Sequence, residues 1–355
     1  MRRISSFAAI AAVAAIAATT LAPQTASAQA RETCVIANSH YTGWEPIWLA
    51  KHLGLFKKWG DQLNVTIDVT EPMKYGESIT QFAANQFCAL AVTNMDAFTG
   101  PAAGGIPTTM IVVGDYSNGN DGLLWKATRR PNIRDIVGKK VVLVQGSVSQ
   151  YLLWRAAQME NFDYKRVSIE NVDDEVDTKN SFASNGSIIV TWNPILMSAR
   201  GDKNAHMLFD SSRIPGEIID GIVVNDNKAS VNVRKAIAGA WYEAMTIMND
   251  RGSKRQAEAI KWMADFAGNT VEEFKTQLQT TNMFYTRSDA VQFATDAKLK
   301  TTMDLVRTFA AENGLLKNGA GVEQDKNYVG IQFPDGSVVG DRNNVGLRFD
   351  TTYMQ

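Results

Sequence analysis

The stretch Cys34–Gly60, "CVIANSHYTGWEPIWLAKHLGLFKKWG", decides how the fold is read. Its first residues, with Thr33, form the apolar run "TCVIANS", a strand that breaks into a polar loop. The chain then turns helical. In "EPIWLAKHLGLFKKW", Ile47, Ala50 and Leu53 fall on one face, and Gly54 is placed as a C-terminal stop. The same grammar continues downstream. "LNVTIDVT" alternates Val65, Ile67 and Val69 as a strand does. "YGESITQFAANQF" spaces Ile79, Phe82 and Ala83 as a helix does. "CALAVTN" and "TTMIVV" are two more strands. Strands that alternate with helices predict parallel strands joined by crossovers.

A second unit of the same kind follows Lys126. "NIRDIVGKKVVLVQGSVSQYLLWRAAQ" reads as a turn, a strand, a Gly-Ser turn and a helix. "VSIENV", "SIIVTW" and "HMLFD" read as further strands, and "IIDGIVVN" as a strand returning to the first unit. From Val231 the pattern is helical, with Val233, Ile237, Trp241, Ala244 and Met248 on one stripe. Helices continue to Gly314. The tail carries a "PDG" turn between alternating runs, which predicts a hairpin.

The chain has 355 residues, 45% hydrophobic and 21% charged, with a net charge of −1. That balance argues against a nucleic-acid partner and against attraction to an anionic membrane. Residues 1–30 differ from the rest. "MRR" precedes the apolar "FAAIAAVAAIAATTLA", and "ASAQA" offers small-residue cleavage sites, the pattern of a secretory signal peptide. Its removal leaves 34 basic and 37 acidic residues. Export permits a disulfide between Cys34 and Cys88. Two buried small side chains are the alternative, and neither cysteine has metal-ligand spacing.

Three stretches, "YTGWEPIWLAKHLGLFKKWG", "GESITQFAANQFCALAVTN" and "VQGSVSQYLL", together resemble the periplasmic substrate-binding proteins of the nitrate/taurine/aliphatic-sulfonate ABC importers. The resemblance runs from about Cys34 to Gly314. "TNMDAFTGPAAGG" and "VVGDYSNGND" resemble a urea-carboxylase-related branch, associated with urea- or guanidine-type nitrogen compounds. The resemblance implies a type II periplasmic-binding-protein fold of class α/β: two lobes with mixed sheets, a two-segment hinge and a ligand in the cleft. On that reading residues 31–124 and 225–316 form lobe 1, and residues 125–224 form lobe 2. Residues 317–355 form a hairpin-like extension packed on lobe 1, and the hinges lie near 125 and 224. The implied partners are a small-molecule solute and a membrane permease with its cytoplasmic ATPase. The protein is expected to be a periplasmic monomer without a cofactor.

In open α/β sheets ligands sit beyond the carboxyl ends of the strands. The residues after each predicted strand therefore form the candidate ligand set. In the first unit they are Ser39, His40, Tyr41, Trp44, Glu45, Thr93, Asn94, Asp96, Asp115 and Tyr116. In the second they are Ser147, Ser149, Trp192, Asn193 and Asp210. Asp96 is the strongest acidic candidate, since it follows a strand inside the ligand loop that the resemblance implies. Helix starts at Thr42–Glu45 and Ser147–Gln150 suit an anion such as taurine, an aliphatic sulfonate or nitrate. Glu45, Asp96, Asp115, Asp121 and Asp210 with aromatic neighbours, and no Lys or Arg, suit a planar cation or amide. The second argument leads to a guanidine- or urea-like solute. The polar "SNGND" also reads as an ordinary turn. Catalysis is disfavoured: there are three histidines, and no G-x-S-x-G, H-E-x-x-H or P-loop.

Overall fold

The computed structural model describes residues 31–355, so the expected signal peptide lies outside the described residues. Fourteen strands are present among them. They are β1 (Glu32–Ala37), β2 (Val65–Val69), β3 (Ala89–Thr93), β4 (Thr108–Ser117), β5 (Asp121–Lys126), β6 (Lys140–Leu143), β7 (Ser168–Asn171), β8 (Ile188–Trp192), β9 (Ala205–Asp210), β10 (Ile219–Asn225), β11 (Thr281–Met283), β12 (Gly330–Gln332), β13 (Val338–Val339) and β14 (Val345–Phe349). They make a nine-stranded sheet, β13-β12-β14-β4-β10-β3-β1-β2 with β11 beside β4, and a five-stranded sheet, β7-β6-β8-β5-β9.

The two sheets share a plan. In the large sheet β10 is antiparallel to both β3 and β4, while β1, β2 and β3 are parallel. In the small sheet β5 is antiparallel to both β8 and β9, while β6, β7 and β8 are parallel. Each antiparallel strand is the one the chain enters on crossing from the other sheet. Its first residues therefore lie beside the carboxyl ends of its parallel neighbours. Asp220 pairs with Thr93 at the end of β3, and Asp121 pairs with Trp192 at the end of β8.

The crossings fall at residues 118–120 and 211–218, a few residues before the expected 125 and 224. The cause is the length of β4. It does not end at "TTMIVV" but runs on to Ser117, because β10 pairs with Tyr116 and β11 with residues 115–117. Asp115 and Tyr116 are therefore strand residues, and the polar loop shrinks to Asn118–Asn120. Ser211 ties the two crossings together. Its Oγ accepts from the Gly119 amide at 2.7 Å and lies 2.7 Å from Ser117 Oγ.

Gly54 stops the helix as expected. The helix Glu45–His52 ends just before it, Gly54 takes φ +69°, a turn that glycine makes without steric cost, and a second helix, Leu55–Leu63, follows directly. One other expectation changes. The tail does form an antiparallel β12–β13 pair around the Pro334-Asp335-Gly336 turn. Its last strand, β14, instead runs parallel to β12 and β4, so the tail extends the large sheet.

The inner strands are mostly apolar, as strands covered on both faces are, and their few polar residues include Asp115 and Asp220. Every residue of β3 and β10 is buried. The helix Val231–Asn249 buries Trp241 against β4 at Gly114, where a Cβ would lie 2.9 Å from Trp241 Cζ2. Cys34 in β1 and Cys88, just before β3, are joined by a disulfide with Cα atoms 5.4 Å apart, closing a separation of 54 residues. Loop-closure entropy on that scale amounts to about 4 kcal/mol. Replacing both cysteines by serine is expected to lower stability by roughly that amount in denaturant melts. A change under about 1 kcal/mol would show that the bridge contributes little.

Candidate functional site

Four aromatic side chains meet where the two sheets face each other. Tyr41 and Trp44 come from the loop after β1, Tyr75 from the first turn of the helix Tyr75–Ala83, and Trp192 from the end of β8. Tyr41 and Trp44 are edge to face at 5.0 Å. Trp44 and Tyr75 lie 5.2 Å apart, and Tyr75 and Trp192 are edge to face at 6.0 Å. With Thr93, Asp121, Val148, Ile218 and Asp220 they enclose a small cavity. Its volume, measured for the centre of a water molecule, is about 20 Å³. One water needs about 10–15 Å³, so the space holds one or two waters and a solute larger than that needs the walls to part slightly.

The cavity is acidic on one side. Asp121 and Asp220 line it, each only 2% exposed. Asp115 lies directly across from Asp220 in the β4–β10 register and is wholly buried. Neither carboxyl oxygen of Asp115 has a hydrogen-bond partner, nor does Asp220 Oδ2. A Cβ at Gly43 would overlap Asp115 Oδ2 and the Tyr41 ring, so glycine lets the Tyr41 loop close on this carboxyl. Burial pushes the Asp121 carboxyl up to about 7, tempered by Ser117 and raised further by the charge of Asp96. Burial pushes Asp115 up to about 8 and Asp220 well above the usual carboxylate range, where the charge of Asp115 adds to the rise. The Tyr41 hydroxyl stands beside the pair and tempers the shift without forming a well-aligned hydrogen bond to Asp115. No Lys or Arg lines the cavity.

The crossing segment is pinned between the sheets. Asn120 donates to Thr281 Oγ1 and, at 3.3 Å, to the Tyr41 hydroxyl. Its Oδ1 accepts from Asn193 Nδ2 and, at 2.7 Å, from Thr280 Oγ1.

Of the fifteen residues expected from sequence, Tyr41, Trp44, Thr93 and Trp192 line the cavity, and Asp115 stands behind Asp220. Asp96 lies next door. Its Oδ2 accepts from the Tyr75 hydroxyl at 2.6 Å and from Thr93 Oγ1 at 2.8 Å. With Ser147 it lines a separate crevice of about 260 Å³. Burial pushes the Asp96 carboxyl up to about 6, against those two hydrogen bonds. The others do not reach the cavity. His40 Nδ1 pairs with Glu45 Oε1 at 2.7 Å, and Asn94 Nδ2 donates to the Glu217 carbonyl at 3.1 Å. Tyr116 stacks on Phe293 at 5.7 Å. Ser39 and Ser149 are buried with unpartnered hydroxyls. Asn193 holds Asn120, and Asp210 caps the turn at Ser212.

Tyr75, Val148, Ile218 and Asp220 are absent from the sequence-derived set, and Asp121 was weighed there only as a loop acid. Asp220 had a signal: an acid inside the otherwise apolar "IIDGIVVN" is costly unless it has a task. A larger groove, about 870 Å³, is lined by Trp59, Tyr242, Arg255 and Arg287. It is open to solvent and shares no lining residue with the cavity. Among the described residues no cluster of three or more His, Cys, Asp or Glu is arranged to hold a metal, and no helix is long and apolar enough to cross a membrane.

Comparison with solved structures places this architecture. The alkanesulfonate-binding protein SsuA from Xanthomonas axonopodis pv. citri, bound to MOPS, superposes with a TM-score of 0.64 at 14% identity, covering 80% of this chain and 94% of that one. The periplasmic aliphatic sulphonate binding protein SsuA from Escherichia coli gives 0.64 at 17% identity with the same coverage. The periplasmic nitrate-binding protein NrtA from Synechocystis PCC 6803 gives 0.52 at 13% identity, covering 91% and 98%. No family model and no curated protein matches the sequence. The chain has the periplasmic binding protein fold.

Proposed function

We propose that this chain is the solute-binding component of an ABC importer. On this reading it traps a small guanidinium-type cation between its two sheets and hands it unchanged to a membrane permease. The fold supports the binding-protein role. The observation that carries the ligand class is the carboxyl cluster: Asp121 and Asp220 in the cavity wall, Asp115 behind them, and no cationic side chain in the lining. An anion placed there meets carboxyls that repel it when ionised, at several kcal/mol in a poorly screened site. Guanidinium meets them favourably. Its parallel N–H donors match a carboxylate, and its flat face matches the rings of Trp44, Tyr75 and Trp192.

One observation favours a second ligand, neutral urea. Trp44 lies in the wall and its indole N–H has no partner. A carbonyl oxygen would satisfy it, while the amide N–H groups donate to the carboxyls.

Micromolar affinity needs about 8 kcal/mol of binding free energy. Ligand at a hundredfold excess over its Kd adds about 2.7 kcal/mol to stability. In a thermal-shift assay guanidinium is expected to raise Tm by roughly 5 °C, while taurine and nitrate leave it unmoved. A shift with taurine or nitrate and none with guanidinium would move the protein to the anion-binding role.

A further inference from the structure

The carboxyl cluster poses a charge-balance problem that the cation reading alone does not solve. Asp115, Asp121 and Asp220 are each 2% exposed or less, and no Lys, Arg or His acts on any of them. The groups that face them are acids and phenols: Tyr41 from the loop after β1, Asp96 near Asp121, and Tyr285, which follows β11, near Asp115. The remaining neighbours are uncharged: Thr93 on β3, Trp192 on β8, Val148 on the helix Val148–Glu160, Ser211 beside the Asp121 amide, and Trp241 against Gly114. Three ionised carboxylates packed together without a counter-charge would repel one another strongly.

Hydrogen bonding leads to the same place. As a carboxylate, Asp115 would have no donor to either oxygen, and Asp220 none to Oδ2. A buried acceptor left in that state is costly. A proton shared by the Asp115–Asp220 pair supplies a donor between two carboxyls that face each other across the register, and both groups gain a partner.

We propose that the proton is the second ligand of this site: the Asp115–Asp121–Asp220 cluster holds protons in the absence of solute and releases one for each cation that enters. The inference rests on the cation reading above. The exchange balances. One carboxyl O–H bond breaks at the wall, the proton passes to water, and the cation's charge replaces it, so the buried net charge is unchanged. Asp121 and Asp220 face the cavity and supply acceptor oxygens. Burial displaces Asp121 least, so its proton is the one released. The Asp115–Asp220 pair keeps a shared proton, which Asp220 holds the more tightly because the bond between them lowers Asp115 and raises Asp220.

Calorimetry on the mature protein tests it. Guanidinium hydrochloride is titrated at pH 6.5 in phosphate and in imidazole, buffers with different ionisation enthalpies. The expected result is a buffer-dependent heat equal to about one proton released per cation, with affinity rising up to tenfold per pH unit below pH 7 and levelling above pH 8. Urea, if it binds, is expected to release none. Asp115→Asn gives Asp220 a permanent N–H donor and is expected to move the midpoint of the guanidinium affinity profile to lower pH. Guanidinium binding with no buffer dependence and no pH dependence overturns the exchange while leaving the cation reading intact. No binding of guanidinium at any pH overturns both.

Discussion

Asp220→Asn and Asp121→Asn are each expected to weaken guanidinium binding at least a hundredfold while raising the stability of the ligand-free protein at pH 8. Asparagine keeps the shape and one acceptor oxygen but removes the charge. Truncating one side of a buried, hydrogen-bonded charge pair costs about 2–5 kcal/mol of binding, so a loss of about 3 kcal/mol corresponds to the hundredfold figure. The stability change has the opposite sign because at pH 8 the ligand-free cluster is partly ionised and repels itself. Removing one carboxyl relieves both that repulsion and the burial of an unpaired acid. A site that is costly to the fold and necessary for the ligand is the expected trade. The opposite signs also exclude misfolding as the cause of lost affinity. Asp210→Asn serves as the control, since Asp210 only caps the turn at Ser212 and is outside the cavity. Isothermal titration gives the affinity and thermal melts give the stability. Affinities within threefold of the parent for both cavity variants would remove the carboxyl cluster from the binding site.

The sequence made the architecture legible because strand and helix periods differ and because glycine and polar turns punctuate them. β1 to β4 and β6 to β10 all begin or end within a few residues of the runs quoted from sequence. Strand ends lead to Tyr41, Trp44, Thr93 and Trp192 in the cavity wall, because those positions follow from topology alone, whereas Asp115 follows a strand end only if β4 stops at Val113, and it runs on to Ser117. Strand ends could not rank Asp96 against Asp220. Both are buried acids near a strand end, and only the register shows that Asp220 sits between Thr93 and Asp115. Asp96 is instead occupied by Tyr75 and Thr93. Tyr75 escaped notice for a related reason. It opens a helix in the first unit, and no local pattern says that its ring meets Trp192 of the second. Asp220, outside the strand-end set, and Asp121, read as a loop acid, both stand at the start of antiparallel strands, and a parallel-sheet rule directs attention to carboxyl ends rather than to the amino ends lying beside them.

The ligand-free protein is expected to lose stability as pH rises from 5 to 8, the reverse of the usual effect of paired surface carboxylates. Asp115 at about 8 and Asp121 at about 7 hold their protons in the folded state above the pH at which the unfolded chain has lost them. An unfolded aspartate titrates near 3.9, so in this window the folded state binds more protons and stability falls with pH. The stabilising contribution is complete below about pH 4 and is lost as pH passes through the folded values. Together the two groups are expected to account for a loss on the order of 5 kcal/mol between pH 5 and 8, or roughly 10 °C in Tm. Carboxylates held low by ion pairs, such as Asp68 beside Lys51 and Asp174 beside Lys74, titrate below this window and do not offset the slope. Saturating guanidinium is expected to flatten or invert it, because the cation binds the ionised cluster best at the upper end. Melting curves at half-unit steps of pH, with and without guanidinium, read both slopes. A ligand-free Tm that rises from pH 5 to 8 would mean that these carboxyls are solvated or paired in solution, and the cavity would lose the charge pattern on which the cation reading stands.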